Sequence, residues 1–229
     1  MGGVKHRKIL ILGVFLASVF WTAAGIWFFR SLSDKDRAAE QISDVRGLTL
    51  SEAQNKNSDT VGWIKIDGTE VDYPFVQGRD NEYYKTHSFD KSYNPAGWVF
   101  LDARGPADLS AQHNIIYLHG KIEGTELAPV RSIIASNTWL NNPEDFKIKT
   151  SLGGRDLTWQ VFSIYKIATT EDYLKVDFRN ANELINLVEK LKARSVYNFG
   201  VPFNAEDKML TFSIKYDNEN LVVIHGKLD

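Results

Sequence analysis

At Val61 the rhythm of apolar residues changes, and from there to the carboxy terminus the chain is constrained to a sheet-rich fold. Residues 62–66 and 69–76, rich in aromatic and β-branched side chains, flank Asp67-Gly68, which reads as two strands joined by a tight turn. Further strand-like runs fall at residues 97–102, 114–118, 146–150, 158–168, Met209–Lys215 and 221–227, separated by loops carrying Gly, Pro and Asn. One segment breaks the pattern. In Ala181–Arg194, Leu184, Leu187, Val188 and Leu191 recur at helical spacing, with Glu189, Lys190 and Lys192 on the other face, as expected of a helix covering a sheet. The fold class is mainly β.

Upstream of Val61 the constraints are different. Ile9 to Phe29 is a run of 21 residues without a charge, long enough to cross a hydrocarbon core as a helix. Lys5, Arg7 and Lys8 precede it, whereas the distal flank mixes Arg30, Lys35 and Arg37 with Asp34 and Asp36, a bias that puts the amino terminus in the cytoplasm and the rest outside. The rival reading is a cleaved signal peptide; against it, the apolar run continues through Trp27-Phe28-Phe29 with no small-residue cleavage site at the right distance. The domain order expected is a cytoplasmic tail (1–8), a transmembrane signal anchor (9–29), a helical linker (30–56) and a β domain (57–229). Ser51 is the expected cap before Glu52-Ala53-Gln54 in the linker, for which a partly disordered stalk is the alternative.

Composition narrows the chemistry by exclusion. A formal charge of −2 over 229 residues provides no field to recruit nucleic acid. No cysteine occurs, so a thiolate nucleophile, a disulfide framework and cysteine-based metal sites are excluded. The carboxylates form no recognisable metal loop or glycosidase pair, and Gly153-Gly154 reads as a short turn rather than a phosphate cradle. Neither a cofactor nor a metal is expected.

The segment Asn57-Ser58-Asp59-Thr60-Val61-Gly62-Trp63-Ile64-Lys65-Ile66-Asp67-Gly68-Thr69, followed by Val71-Asp72-Tyr73-Pro74, resembles the first strands of the class B sortases, cysteine transpeptidases of bacterial surfaces. Similar blocks are Val76-Gln77-Gly78-Arg79-Asp80-Asn81-Glu82-Tyr83-Tyr84, Thr86-His87-Ser88-Phe89-Asp90, Gly97-Trp98-Val99-Phe100-Leu101-Asp102 and Asp172-Tyr173-Leu174-Lys175, and the helix at Ala181–Arg194 matches the extra helix of that class. The resemblance covers residues 57–229. It implies a closed, largely antiparallel β-barrel of about eight strands, with amino-terminal helices alongside and the extra helix before the penultimate strand.

In that family a cysteine attacks a sorting-signal peptide, a histidine serves as acid and base, and an arginine steadies the carbonyl oxygen. Carried over, only the histidine survives, as His119 in Asn114-Ile115-Ile116-Tyr117-Leu118-His119-Gly120. Leu210-Thr211-Phe212-Ser213-Ile214-Lys215 is similar to the nucleophile strand, with Lys215 at the cysteine position; Asn220, before Leu221-Val222-Val223, stands at the arginine position after a short loop. The resemblance thus implies a membrane-anchored, extracytoplasmic sortase-like protein, inactive as a transpeptidase. It would bind sorting-signal peptides or assist surface-protein or pilus assembly, without nucleic acid.

The alternative is an active acyl transferase using Ser213 or Lys215 with His119. An acylated lysine is a stable amide, which opposes turnover. Ser213 and Lys215 leave the same strand face but are ~6.5–7 Å apart along it, too far for a direct hydrogen bond. His87 and His113, expected in loops, and His225, in the last strand, read as ordinary surface or packed histidines.

Overall fold

The computed structural model describes residues 21–22, 25, 44–67, 69, 71–118, 142–217 and 219–229. The anchor expected at 9–29 lies almost wholly outside them, as does His119; among the described residues no helix is long and apolar enough to cross a membrane. Contacts divide the chain into residues 1–37 and 38–229, and the second unit carries the sheet.

Eight strands close on themselves: β1 (Thr60–Ile66), β2 (Asp72–Val76), β3 (Val99–Leu101), β4 (His113–Leu118), β5 (Lys147–Ser151), β6 (Asp156–Ala168), β7 (Met209–Lys215) and β8 (Asn220–Leu228). Around the barrel the order is β1-β2-β3-β4-β7-β8-β6-β5, and β5 returns to β1. Closure gives every strand a neighbour on both sides, although β2 and β3 meet at one pair only, Val76 opposite Phe100. Pairing is antiparallel except between β2 and β3 and between β4 and β7, where six consecutive pairs run from His113 opposite Met209 to Leu118 opposite Ile214.

The expected strand at 97–102 contracts to three residues for a steric reason. Gly97 has φ +67°, and a Cβ there would lie 2.4 Å from the Tyr84 carbonyl oxygen, so the chain turns before Val99. Pro74 is tolerated inside β2 because the β3 side of that strand pairs only at Val76.

Strand alternation sorts side chains into two clusters. Ile64, Ile66, Phe75, Leu101, Ile116, Leu118, Ile148, Trp159, Leu210, Phe212, Ile214, Val222 and Ile224 fill the barrel. Trp159 is fully buried with its indole N–H donated to Thr150 Oγ1 at 3.0 Å, and Gly226 leaves the room it needs: a Cβ at 226 would meet Trp159 Cβ at 2.8 Å.

The short helix α1 (Leu50–Lys56) packs through Ala53, but its cap is Thr49 rather than the expected Ser51. Thr49 and Glu52 form a reciprocal capping box: Glu52 N–H donates to Thr49 Oγ1 at 3.3 Å and Thr49 N–H donates to Glu52 Oε2 at 2.7 Å. Ser51, one residue into the helix, is too late for that role.

On the outer face, α2 (Ala181–Arg194) lays Leu184, Leu187, Val188 and Leu191 over Phe162, Tyr165, Tyr173, Met209 and Val223. Each buried aliphatic side chain of this kind stabilises by about 2 kcal/mol. Asn180 caps the helix by accepting from the Glu183 N–H at 3.1 Å.

Candidate functional site: the outer face of strands β4 and β7

Inner positions of β7 are Leu210, Phe212 and Ile214, so Thr211, Ser213 and Lys215 point outward. Lys215 ends the strand, partly exposed and opposite Leu221 of β8. Among the described residues its ammonium has no ion-pair partner. The β4–β7 register runs out at Leu118 opposite Ile214, one residue before Lys215 and one before His119, which lies outside the described residues.

Ser213 is buried, with its hydroxyl 2.7 Å from the Tyr173 hydroxyl. It is opposite Tyr117 in the register. Its polar partner is thus a phenol, and the Tyr173 hydroxyl, pushed up by burial, is a poor base for activating it.

Asn220 turns its side chain away into the β7–β8 connection. Its amide N–H groups donate to Asp217 Oδ1 and Oδ2, both at 2.9 Å, and the backbone N–H groups of Glu219 and Asn220 donate to Asp217 Oδ1 at 2.8 and 2.7 Å. These hydrogen bonds, led by the Glu219 N–H, hold the Asp217 carboxyl below its ordinary range. Asn220 is therefore a turn-stabilising amide.

Beside this face runs a segment without regular secondary structure that is nonetheless tied down at Asp172, Tyr173 and Lys175. Asp172 is held by Arg194 at 2.9 and 2.5 Å and by Lys190 at 2.7 Å, both from α2. Tyr173 bonds Ser213, the Lys175 ammonium donates to Glu183 at 2.6 Å, and the Lys175 carbonyl accepts from His113 Nδ1 at 2.6 Å.

The last contact begins a buried chain that sequence reasoning did not find. His113, expected in a loop, is the first residue of β4 and fully buried, because the strand starts one residue early to pair with Met209. A carbonyl can only accept, so His113 carries its proton on Nδ1 and its Nε2 accepts from the Thr211 hydroxyl at 2.7 Å. Thr211 Oγ1 then accepts from His225 Nδ1 at 2.8 Å, and His225 Nε2 accepts from the Tyr165 hydroxyl at 2.9 Å. Every link is satisfied with both histidines neutral. Burial brings His113 down to about 4 and His225 well below its usual value.

A second cluster lies at the other end of β4. Asp102, next after β3 and 2% exposed at its side chain, accepts from Arg104 Nε at 2.9 Å and Nη2 at 2.6 Å, from the Arg104 backbone N–H at 2.8 Å, and from the Tyr117 hydroxyl at 2.8 Å. Burial alone would raise the Asp102 carboxyl; Arg104 and the other donors outweigh it and bring it to about 2. Tyr117 stacks on Phe100 with ring centroids 5.0 Å apart. Between these residues and the tied segment opens a cavity of about 510 Å³, lined by Asn81, Lys85, Phe100, Arg104, Tyr117, Leu174 and Lys175 among others. A larger cavity of about 920 Å³ lies against Leu48, Trp63 and Lys149 and contains none of the candidate residues. Among the described residues no three metal-ligating side chains are grouped to hold an ion.

A closed eight-stranded barrel, a parallel β4–β7 pair ending at the candidate positions and a helix inserted before β7 define a sortase-type barrel. No model of a known protein family matches the chain. Sortase B of Listeria monocytogenes serovar 1/2a is 27% identical over 238 residues, 98% of this chain and 96% of that protein. Sortase B of Staphylococcus aureus strain NCTC 8325 is 29% identical over 157 residues, 69% of this chain and 63% of that protein. A Staphylococcus aureus sortase B–substrate complex superimposes with TM-score 0.69 at 23% identity, over 89% of this chain and 98% of that one. Over almost its whole length the chain is thus similar to class B sortases in sequence, and its described domain shares their fold.

Proposed function

We propose that this protein is a membrane-anchored, extracytoplasmic class B sortase-like protein that has lost transpeptidase activity and holds an extended peptide along the outer face of β4 and β7. The observation that carries the reading is the pair of replacements at the ends of β7 and β8. Lys215 provides an amine where a recyclable thiolate is needed, and Asn220 is committed to Asp217. A peptide acylated onto Lys215 would form an amide with no better leaving group than the original. The uncharged run at 9–29 and its basic flank support the anchor and the orientation. That a sortase B is known in complex with substrate supports a peptide as the class of ligand. A part in surface-protein or pilus assembly beside an active transpeptidase follows by analogy with the family.

The test is cleavage and transfer of a sorting-signal peptide by the full-length chain in detergent, against a His119→Ala control. The expected result is no turnover in either. Turnover in the unaltered chain that the control abolishes would overturn the proposal in favour of a catalyst built on Lys215 or Ser213.

A further inference from the structure

The cavity beside Tyr117 contains a fixed guanidinium that nothing in the sortase-type chemistry above uses. Arg104 is anchored from behind: the buried Asp102 carboxylate takes its Nε and one Nη2 hydrogen, and its side chain is still 48% exposed on the cavity side. A guanidinium has five N–H groups. Two go to Asp102 and the Tyr117 oxygen neighbours a third, so at least two remain for a ligand.

Orientation is settled before any ligand arrives. Asp102 is itself locked by Tyr117, and Tyr117 by its stack on Phe100, so the fork loses little freedom on binding. Three carboxylates line the cavity: Glu82 pairs with Lys85 at 2.6 Å, Asp172 pairs with Arg194 and Lys190, and Glu171 lies on the side of the tied segment. The open edge of Arg104 supplies donors there, and asks for an oxygen acceptor.

Its position relative to Lys215 gives the reach. Tyr117 is opposite Ser213, two residues from Lys215 on the same face. An extended ligand with one residue at Lys215 would place another near Tyr117 after ~6.5–7 Å, one two-residue strand repeat.

We propose that Arg104 is a subsite for a side-chain carboxylate or carboxamide of an extended peptide, held by the guanidinium edge that Asp102 leaves open. The proposal rests on the peptide-holding role of the β4–β7 face. It makes Arg104 a determinant of which peptides are held, with no part in bond cleavage.

The experiment uses the full-length chain in detergent and capped pentapeptides Ac-Gly-Gly-X-Gly-Gly-NH2, with X Asp, Asn or Leu. The readout is saturable movement of the Arg104 Nε–H resonance and of a reporter attached at position 215 through Lys215→Cys. The expected result is that Asp or Asn peptides move both signals and bind at least tenfold more tightly than Leu, the preference between Asp and Asn telling carboxylate from carboxamide. Arg104→Lys, which keeps the charge against Asp102 but loses the fork, should cost about tenfold for Asp or Asn and nothing for Leu. Equal binding of all three peptides, or no change in Arg104→Lys, overturns the subsite and leaves the groove standing. No movement at either position with any peptide overturns the subsite and the groove together.

Discussion

Between pH 6.5 and 5 the stability of the barrel should fall steeply, and the cause should be traceable to two residues. His113 and His225 are fully buried and neutral, each with both ring nitrogens committed. The folded state takes up a proton on His113 only near pH 4, whereas an unfolded chain does so near ~6.5. Unfolding therefore binds a proton in that window, and stability present above pH 6.5 drains away as pH falls toward 4. For His113 the loss is ~2 kcal/mol at pH 5 and ~3 kcal/mol below pH 4, because each tenfold difference in proton affinity between the two states is worth ~1.4 kcal/mol. His225, also depressed by burial, adds in the same direction. The Asp102 carboxyl, held at about 2, loses its contribution only below pH 4, so it does not contaminate the upper window. Urea unfolding followed by tryptophan fluorescence at pH 7.5 and 5.0 measures the difference. His113→Gln should be less stable at pH 7.5 yet show a flatter pH dependence by ~2 kcal/mol. Equal slopes in the unaltered chain and the variant would refute the buried neutral chain of histidines.

Two further predictions concern packing and access. Gly226→Ala forces a methyl to within 2.8 Å of Trp159 Cβ at the centre of the barrel and should cost about 1–3 kcal/mol in urea unfolding. Lys215→Cys should react with a maleimide in the folded protein at least about tenfold faster than Ser213→Cys, since the first position is partly exposed and the second lies 5% exposed beneath Tyr173.

The helix Ala181–Arg194 and the strand Met209–Lys215 were legible to the residue because each carries a periodic apolar pattern bounded by its own stop signals. Local pattern also marked the outward face shared by Ser213 and Lys215. What it does not encode is partnership across the chain. The pairing of β4 with β7 joins residues 96 apart, as at His113 and Met209, and no periodicity announces it. The roles of His113, Thr211 and His225 depend on that pairing, and so escaped notice, as did Arg104, whose importance comes from burial of Asp102 and not from spacing. One misreading was local: Thr49-Leu50-Ser51-Glu52 contains the capping-box spacing, which favours Thr49 over Ser51. Asp217-Asn218-Glu219-Asn220 contains an Asx-turn signal that accounts for the partner of the Asn220 amide.

The order of strands around the barrel dictates an order of assembly. β4 and β6 have no lateral partner on their inner flanks until β7 and β8 are both present to fill the gap between them. A nascent chain ending after α2 is therefore an open, curled sheet with two sticky margins, prone to pairing with other chains. The surface that would receive a peptide does not exist in any shorter product, so premature termination or carboxy-terminal proteolysis would remove binding and folding in a single stroke.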